Sequence, residues 1–123
     1  MKITFKEIPY TGDEDSFNFC DVGADRQFEI IVDDTYTVGC VYISENYEAA
    51  NGREFKTYIN WIEFFIIYQG KSLLRPVMTA LSKMFGDLYF ETDEENEQKY
   101  RRIGCYFTEK DDCTELPIYV FLS

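Results

Sequence analysis

The sequence predicts a single α/β (α+β) domain that extends over residues 1–123. The length fits one domain and is too short for two ordinary ones. The content of 46% hydrophobic and 18% aromatic residues is enough to bury a core, which excludes a disordered tail or a disulfide-stapled mini-protein. Most apolar segments alternate with polar residues as strands do, and one segment in the middle of the chain has a helical period instead.

The first part of the chain predicts a strand, a long loop and a hairpin. Residues 2–8 alternate apolar and polar side chains, which is typical of a half-buried strand. Residues 9–26 are acidic and rich in turn-forming residues, so we expect a loop there. Residues 28–32 and 36–43 are rich in β-branched and aromatic residues on either side of Asp33 and Asp34, which indicates a hairpin.

The middle of the chain predicts a central strand followed by the longest helix. Residues 44–53 are mostly polar and predict a connection, whereas residues 56–68 predict a long strand with two apolar faces. The helix is expected over residues 72–85, with Ser72 as its N-cap and Gly86 as the left-handed residue at its C-terminal end. Its apolar face consists of Leu73, Leu74, Val77, Met78, Leu81, Met84 and Phe85.

The last part of the chain predicts short elements that complete the sheet. Residues 87–91 are typical of a strand, the acidic region 92–102 of a short helix, and residues 104–108 and 116–122 of two closing strands. The expected order is therefore β-loop-β-β-β-α-β-α-β-β.

Charge and composition exclude several function classes. The chain has 12 basic and 23 acidic residues, a net charge of −11, which argues against direct nucleic-acid binding and against an anionic membrane surface. It contains no histidine, which excludes Ser-His-Asp and Cys-His nucleophile systems and the usual histidine-ligated zinc enzymes. Catalysis would have to use carboxylates, tyrosine, lysine, cysteine or backbone groups.

The N-terminus and the cysteines suggest an intracellular protein. The first residues lack the apolar segment of a signal peptide, and no apolar run approaches the length of a membrane-spanning helix, so we expect a soluble, cytoplasmic protein. Cys20, Cys40, Cys105 and Cys113 are scattered without a C-x-x-C pair, and we expect them to be small buried apolar residues.

Two segments carry charge in patterns that can bind ligands. The strand, glycine turn and helix start at residues 69–74 form a geometry that binds anions, and Lys71 and Arg75 add positive charge; the alternative is an ordinary turn with solvated cations. The acidic run Glu91, Asp93, Glu94, Glu95 and Glu97 lacks calcium-loop spacing. We interpret it as a solvated helix start and expect no metal site.

Two motifs resemble those of the GNAT N-acyltransferase superfamily. The segment Tyr68-Gln-Gly-Lys-Ser-Leu-Leu is similar to the family's motif A, Gln/Arg-x-x-Gly-x-Gly/Ala, and Tyr100-Arg-Arg-Ile-Gly-Cys is similar to its Tyr-x-x-x-Gly-Phe motif. Ser72 and Leu74 depart from motif A, and Cys105 replaces the usual phenylalanine. The resemblance covers residues 28–122 and implies a mixed, mostly antiparallel central sheet with flanking helices, in which the acidic loop replaces the family's first two helices.

The resemblance also implies an activity, which is transfer of an acetyl group from acetyl-coenzyme A to an amine. Tyr100 would protonate the leaving thiolate, unless it is simply a core aromatic. Glu63 would deprotonate the acceptor, because burial on a central strand would raise its pKa; the alternative is a carboxylate that points to solvent. Backbone amides of the turn would bind the pyrophosphate, and the backbone of the strand would bind the pantetheine arm. The implied cofactor-binding residues are Phe65, Ile66, Ile67, Gln69, Gly70, Lys71, Ser72, Leu73, Leu74 and Arg75.

Two other interpretations stay open. Residues 1–50 carry 11 acidic and 3 basic residues and so hold most of the negative charge, which favours a basic partner such as a lysine-bearing protein or a polyamine. The chain could therefore be a non-enzymatic interaction or inhibitor protein that mimics a nucleic acid on the same scaffold. Alternatively, both motifs are chance occurrences on an unrelated mixed α/β domain. The oligomeric state is open between a monomer and a homodimer.

Overall fold

The structure is a computed structural model that describes residues 1–9, 24–48, 52–111 and 113–123. These residues form seven strands, two α-helices and one short 3-10 helix at Ile66–Tyr68. The strands are β1 (Ile3–Ile8), β2 (Arg26–Val32), β3 (Tyr36–Glu48), β4 (Glu54–Phe64), β5 (Leu88–Glu91), β6 (Tyr106–Lys110) and β7 (Pro117–Phe121), and the helices are α1 (Leu74–Phe85) and α2 (Glu97–Arg102). The predicted order of strands and helices is confirmed.

All seven strands belong to one sheet with the order β1-β2-β3-β4-β5-β7-β6. The neighbours pair antiparallel except for β4 and β5, which are parallel. The predicted mixed, mostly antiparallel sheet with flanking helices is therefore confirmed. The parallel pair lies in the middle because α1 connects β4 to β5 as a crossover, which returns the chain to the same end of the sheet.

The main core lies between the sheet and α1. The apolar face of α1 packs through Leu74, Val77, Met78 and Leu81 against strand residues such as Ile30, and Tyr100 and Ile103 at α2 close the same cluster. A smaller cluster of Phe55, Tyr58 and Ile118, with Tyr47 and Tyr89 beside it, lies on the opposite side of the sheet. We call the side with α1 and α2 the helix face and the other side the open face.

Two predicted element boundaries are wrong. The polar segment 44–53 predicts a connection, but β3 continues to Glu48 because its backbone pairs with β4, for example Tyr47 with Phe55. The strand expected to reach residue 68 ends at Phe64, and residues 65–68 turn away from the sheet, with Ile66 84% exposed and Ile67 72% exposed. Both faces of β4 are buried only in its first half.

The helix ends also differ from the prediction. α1 begins at Leu74, and Ser72 is not its N-cap but lies in the turn before it with φ 58°. Gly86 ends the helix with a positive φ, but its ψ of −149° is outside the left-handed helical region. Met84, expected on the buried face, is exposed.

The remaining predictions concern the first loop and the cysteines. Most of the acidic loop, residues 10–23, lies outside the described residues, and β2 begins at Arg26 rather than at residue 28. Cys105 is buried as expected, Cys40 is half-buried, and Cys113 is exposed, which contradicts the prediction; Cys20 is outside the described residues. Among the helices of the described part of the chain, none is long and apolar enough to cross a membrane.

Candidate active site

The sheet opens between β4 and β5. Among the described residues these strands share a single paired position, Tyr58 with Tyr89. Next to it the pairing of β4 with β3 shifts, since Ile43 pairs with Ile59 but Tyr42 pairs with Trp61, and residue 60 is the extra residue of a β-bulge. A bulge bends the strand that contains it and increases its twist. The second half of β4 is therefore directed away from β5, which leaves a gap in the middle of the sheet.

A groove of about 950 Å³ occupies the helix-face side of this gap. Its walls are the end of β4, the turn that follows it, the start of α1 and one side of α2. This volume is in the upper part of the range of sites for small molecules and cofactors. The lining residues are Ile62, Glu63, Phe64, Tyr68, Gln69, Gly70, Ser72, Leu73, Leu74, Arg75, Pro76, Lys99, Tyr100, Arg102 and Ile103.

One end of the groove presents backbone amides at the start of α1. The first helical amide bond runs from Val77 N–H to the Leu73 carbonyl oxygen at 3.0 Å, and Pro76 has no amide hydrogen. Within residues 52–111, the amides of Gly70 and of residues 72–75 have no backbone acceptor. No side chain caps the helix, and its first turn has no acidic residue. This helix start can therefore accept an external anion.

The turn before α1 is held in a fixed conformation. Gly70 and Ser72 have φ values of 79° and 58°, and the Gln69 side-chain amide donates to the Phe64 carbonyl oxygen at 3.0 Å. Gly70 adopts its positive φ at little cost, because it has no Cβ. Ser72 also adopts a positive φ, at the position where the resembled motif has glycine.

Three cations line the groove in spite of the net charge of −11: Arg75 at the start of α1, and Lys99 and Arg102 on α2. Lys71, which was predicted to contact the ligand, is exposed and is not among the lining residues. Sequence reasoning missed Lys99 and Arg102. Their spacing of three residues on a helix was a signal that both lie on one side of it.

Tyr100 lies between the groove and a second cavity of about 210 Å³. Its ring packs on Phe90 with the ring centroids 4.6 Å apart. Burial raises the pKa of the Tyr100 phenol, and the neighbouring Cys105 and Asp93 raise it further, so the phenol keeps its proton at neutral pH. The site therefore contains a protonated hydroxyl at the junction of two cavities.

A partly buried hydrogen-bond network fixes the helix that carries Tyr100. The phenol of Tyr119, which is fully buried, donates to Glu97 Oε1 at 2.9 Å and accepts from Arg101 Nε at 2.8 Å. Both partners are on α2, a helix of only six residues that would not be stable alone. Tyr119 on β7 therefore sets the position of α2 relative to the gap.

Glu63 borders the groove but is not buried as predicted. The residue is exposed, and its Oε2 accepts a hydrogen bond from Trp61 Nε1 at 3.2 Å. The expectation that Glu63 is buried on a central strand is therefore wrong, and the carboxylate points to solvent, as the alternative had it. After the bulge, the second half of β4 still pairs with β3 but has no paired position with β5 among the described residues, so one side of it is open to solvent. The apolar composition of this segment did not indicate this.

The second cavity contains a carboxylate that sequence reasoning took for part of a solvated acidic run. Glu91, the last residue of β5, lines this cavity together with Asn60, Trp61, Asp93 and Tyr100. Partial burial raises the pKa of Glu91 to about 7, and the adjacent Asp111 contributes to this rise by hydrogen bonding and by its charge. Its place at the end of an alternating strand was the available signal.

The structure brings most of the predicted site residues together. Gln69, Gly70, residues 72–75, Tyr100 and Glu63 border one groove, while residues 65–67 lie outside its lining, in and beside the exposed 3-10 helix. The β4 residues that face the gap are residues 59–64 instead. The described residues contain no group of three cysteine, aspartate or glutamate side chains that could hold a metal ion.

Solved structures share this fold at low sequence identity. A chimera of the spermidine N-acetyltransferase SpeG from Vibrio cholerae and hSSAT aligns with a TM-score of 0.53 and 16% identity over 79% of this chain and 67% of that one. An acetyltransferase from Thermus thermophilus aligns with a TM-score of 0.57 and 17% identity over 80% of this chain and 64% of that one. The Bacillus subtilis N-acetyltransferase YlbP in complex with coenzyme A aligns with a TM-score of 0.52 and 11% identity over 79% of this chain and 67% of that one.

No protein-family model and no curated protein sequence matches the chain. The chain spans about two thirds of the length of these solved structures. A further solved structure, an acetyltransferase of the GNAT family from Listeria monocytogenes, aligns with a TM-score of 0.56 and 15% identity. At such identities the likeness establishes the fold. The fold of this chain is that of the GNAT acetyltransferases.

Proposed function

We propose that this protein transfers an acetyl group from acetyl-coenzyme A to an amine. The observation that carries the proposal is the position of Tyr100, whose protonated phenol lies where a cationic groove of cofactor size meets a second cavity. A leaving thiolate in the groove and an acceptor in the second cavity would meet beside this phenol. The solved acetyltransferases that share the fold add general support.

The residues present fit coenzyme A. The amides of Gly70 and residues 72–75 would hold the pyrophosphate, with Arg75, Lys99 and Arg102 supplying positive charge around it. Leu74 does not obstruct these amides, because its side chain is 8% exposed and packs in the main core. The edge of β4 beyond Ile59 has no strand neighbour on the β5 side within the described residues, so it is available to an extended arm that pairs with it like an added strand.

Bound acetyl-coenzyme A would supply a thioester carbonyl that an amine can attack. Tyr100 would donate its proton to the sulfur as the carbon–sulfur bond breaks, since a thiolate leaves more readily when it is protonated. Tyr119 would keep Tyr100 in place through Arg101 and Glu97. The acidic composition supports an amine acceptor, because it attracts cations. Spermidine, named for one of the solved structures, is a natural first acceptor to test.

Cofactor binding, acetyl transfer and the kinetics of a Tyr100 variant test this function. Acetyl-coenzyme A at millimolar concentration should raise the melting temperature by mass action, and acetyl transfer should be detectable with spermidine, n-butylamine or a lysine peptide. Tyr100→Phe should lower kcat by about 10²- to 10⁴-fold and leave the Kd of coenzyme A nearly unchanged, because only the leaving group loses a partner. The absence of both a melting shift and an acetylated product would refute the proposal.

The net charge of −11 favours a second candidate, a non-enzymatic acidic protein that occupies a nucleic-acid-binding surface on a basic partner. The cationic groove is not needed for that role. This second candidate would be supported if a variant that lacks both the groove cations and the Tyr100 hydroxyl still blocked a basic partner.

A further inference from the structure

We propose that Glu91 is the residue that takes the proton from the acceptor amine, and that the acceptor enters from the open face of the sheet. This inference rests on the acetyl transfer proposed above. It replaces Glu63, which the sequence favoured for the same role and which the structure shows to be exposed.

Glu91 and Tyr100 lie at the gap but on opposite faces of the sheet. Phe90, next to Glu91 in β5, pairs with Tyr119 on the helix face, where its ring supports Tyr100. Side chains alternate along a strand, so Glu91 is directed to the open face, where it pairs with Ile118 of the smaller cluster. Both residues line the second cavity. An acid on the side of the leaving group and a base on the side of the attacking group is the arrangement that acyl transfer needs.

The carboxyl group of Glu91 is held by a short chain of hydrogen bonds. Its Oε2 accepts from the Thr114 hydroxyl at 3.3 Å, and in its protonated form Glu91 donates a hydrogen bond to the carboxylate of Asp111. Asp111 is 8% exposed, and its Oδ1 accepts hydrogen bonds from the backbone amides of Cys113 at 2.7 Å and Thr114 at 3.1 Å. Because two amides fix Asp111, it acts as a positioning residue for Glu91.

The charged and titratable groups around Glu91 support its role as a base. Asp111 faces it from the end of β6, and the phenols of Tyr47 and Tyr58 face it from β3 and β4. Arg53 stacks over Tyr89 on the same face and forms an ion pair with Glu109. Burial and Asp111 raise the pKa of Glu91 to about 7, while hydrogen bonds from Glu91 and the amides lower the pKa of Asp111. Near neutral pH, Glu91 can therefore both accept a proton and release it.

The protons balance in this scheme. The ammonium form of the acceptor gives one proton to ionised Glu91, directly or through a water, and the neutral nitrogen then attacks the thioester carbon. The carbon–nitrogen bond forms and the carbon–sulfur bond breaks, and Tyr100 protonates the sulfur. The second proton of the nitrogen restores the Tyr100 phenol, and Glu91 releases its proton to solvent. One ammonium and one thioester thus give an amide, a thiol and one free proton.

Glu91→Gln tests this role against the control Glu95→Gln, which changes an exposed carboxylate of the same acidic run. The kcat/KM for n-butylamine with acetyl-coenzyme A is measured between about pH 5.5 and 9. In the wild type the rate should rise through about pH 7 as Glu91 ionises. Glu91→Gln should lower it by about 10²- to 10⁴-fold and remove this rise, whereas Glu95→Gln should match the wild type. Asp111→Asn should move the rise to lower pH.

The single tryptophan, Trp61, lines the same cavity and gives a second readout without substrates. Its fluorescence should change with pH around 7 in the wild type, and Glu91→Gln should abolish this step. Unchanged rates and pH profile in Glu91→Gln, or a fluorescence step that persists in it, would overturn the role of Glu91. If Glu91→Gln does not fold, an unshifted profile in Asp111→Asn would overturn it. A wild type that shows no melting shift with acetyl-coenzyme A and acetylates none of n-butylamine, spermidine and the lysine peptide would instead refute the proposed function, and the inference with it.

Discussion

At the scale of single residues, Glu91 links the chemistry of the site to stability. Its pKa is raised from 4.5 to about 7 in the folded protein, so the folded state binds this proton more tightly than the unfolded state does. The stability that protonation provides is therefore present at low pH and is lost as the pH rises through about 7. We predict that the melting temperature of Glu91→Gln exceeds that of the wild type by an amount that grows between about pH 5 and pH 8. Glu95→Gln should show no such growth, and a constant difference for Glu91→Gln would contradict the prediction.

The cations of the groove allow a second residue-scale prediction. Lys99 lines the groove and Lys71 does not, although both are exposed lysines. Lys99→Glu should weaken coenzyme A binding by about 1 kcal/mol, roughly fivefold in Kd, because a carboxylate would replace a cation near the phosphates. Lys71→Glu should have a smaller effect. Calorimetric titration of both variants measures this, and a stronger effect at Lys71 would place the phosphates outside the groove.

At the scale of elements, the path of β4 depends on the close approach of β3. A Cβ on Gly39 would lie 2.1 Å from the Glu63 carbonyl oxygen, so any larger residue must move one of the two backbones. We predict that Gly39→Ala costs about 2 to 3 kcal/mol of folding free energy and weakens coenzyme A binding, because the displaced end of β4 forms a wall of the groove.

Gly52→Ala is the matched control for this substitution. Among the residues that the structure describes, none comes within 4 Å of a Cβ placed there, and the φ of 84° is the unfavourable feature. It should cost about 1 kcal/mol and leave coenzyme A binding unchanged. Urea unfolding gives both free energies, and equal losses in the two variants would show that the approach of β3 to β4 is not tightly fixed.

The elements also show what the sequence could predict. The order of strands and helices follows from local apolar periods, and these were sufficient. The continuation of β3 to Glu48 was missed because it depends on cross-strand pairing with residues 54–58, which polarity at residues 45–48 conceals. The bulge at residue 60 opens the sheet, yet no residue type at that position requires it. Tyr100 and the turn at residues 69–74 were found from motifs, whereas Lys99, Arg102 and Glu91 join the site only through tertiary contacts.

At the scale of the whole molecule, the negative charge should steer cationic acceptors to the protein. The chain carries −11, and Asp13, Glu14 and Asp15 belong to its most acidic region. We predict that kcat/KM for a lysine-rich peptide falls as ionic strength rises from about 0.01 to 0.15 M, where the Debye length shortens from about 30 to about 8 Å. For aniline, which is uncharged at neutral pH, it should stay constant. Reversing the three acidic charges should slow peptide association more than it speeds dissociation, because steering acts before contact. A salt-insensitive reaction with the peptide would contradict steering. The triple variant Lys71→Glu, Lys99→Glu, Tyr100→Phe separates the two candidate functions. If it still inhibits a basic partner, the acidic surface, and not the groove, is the functional part of the molecule.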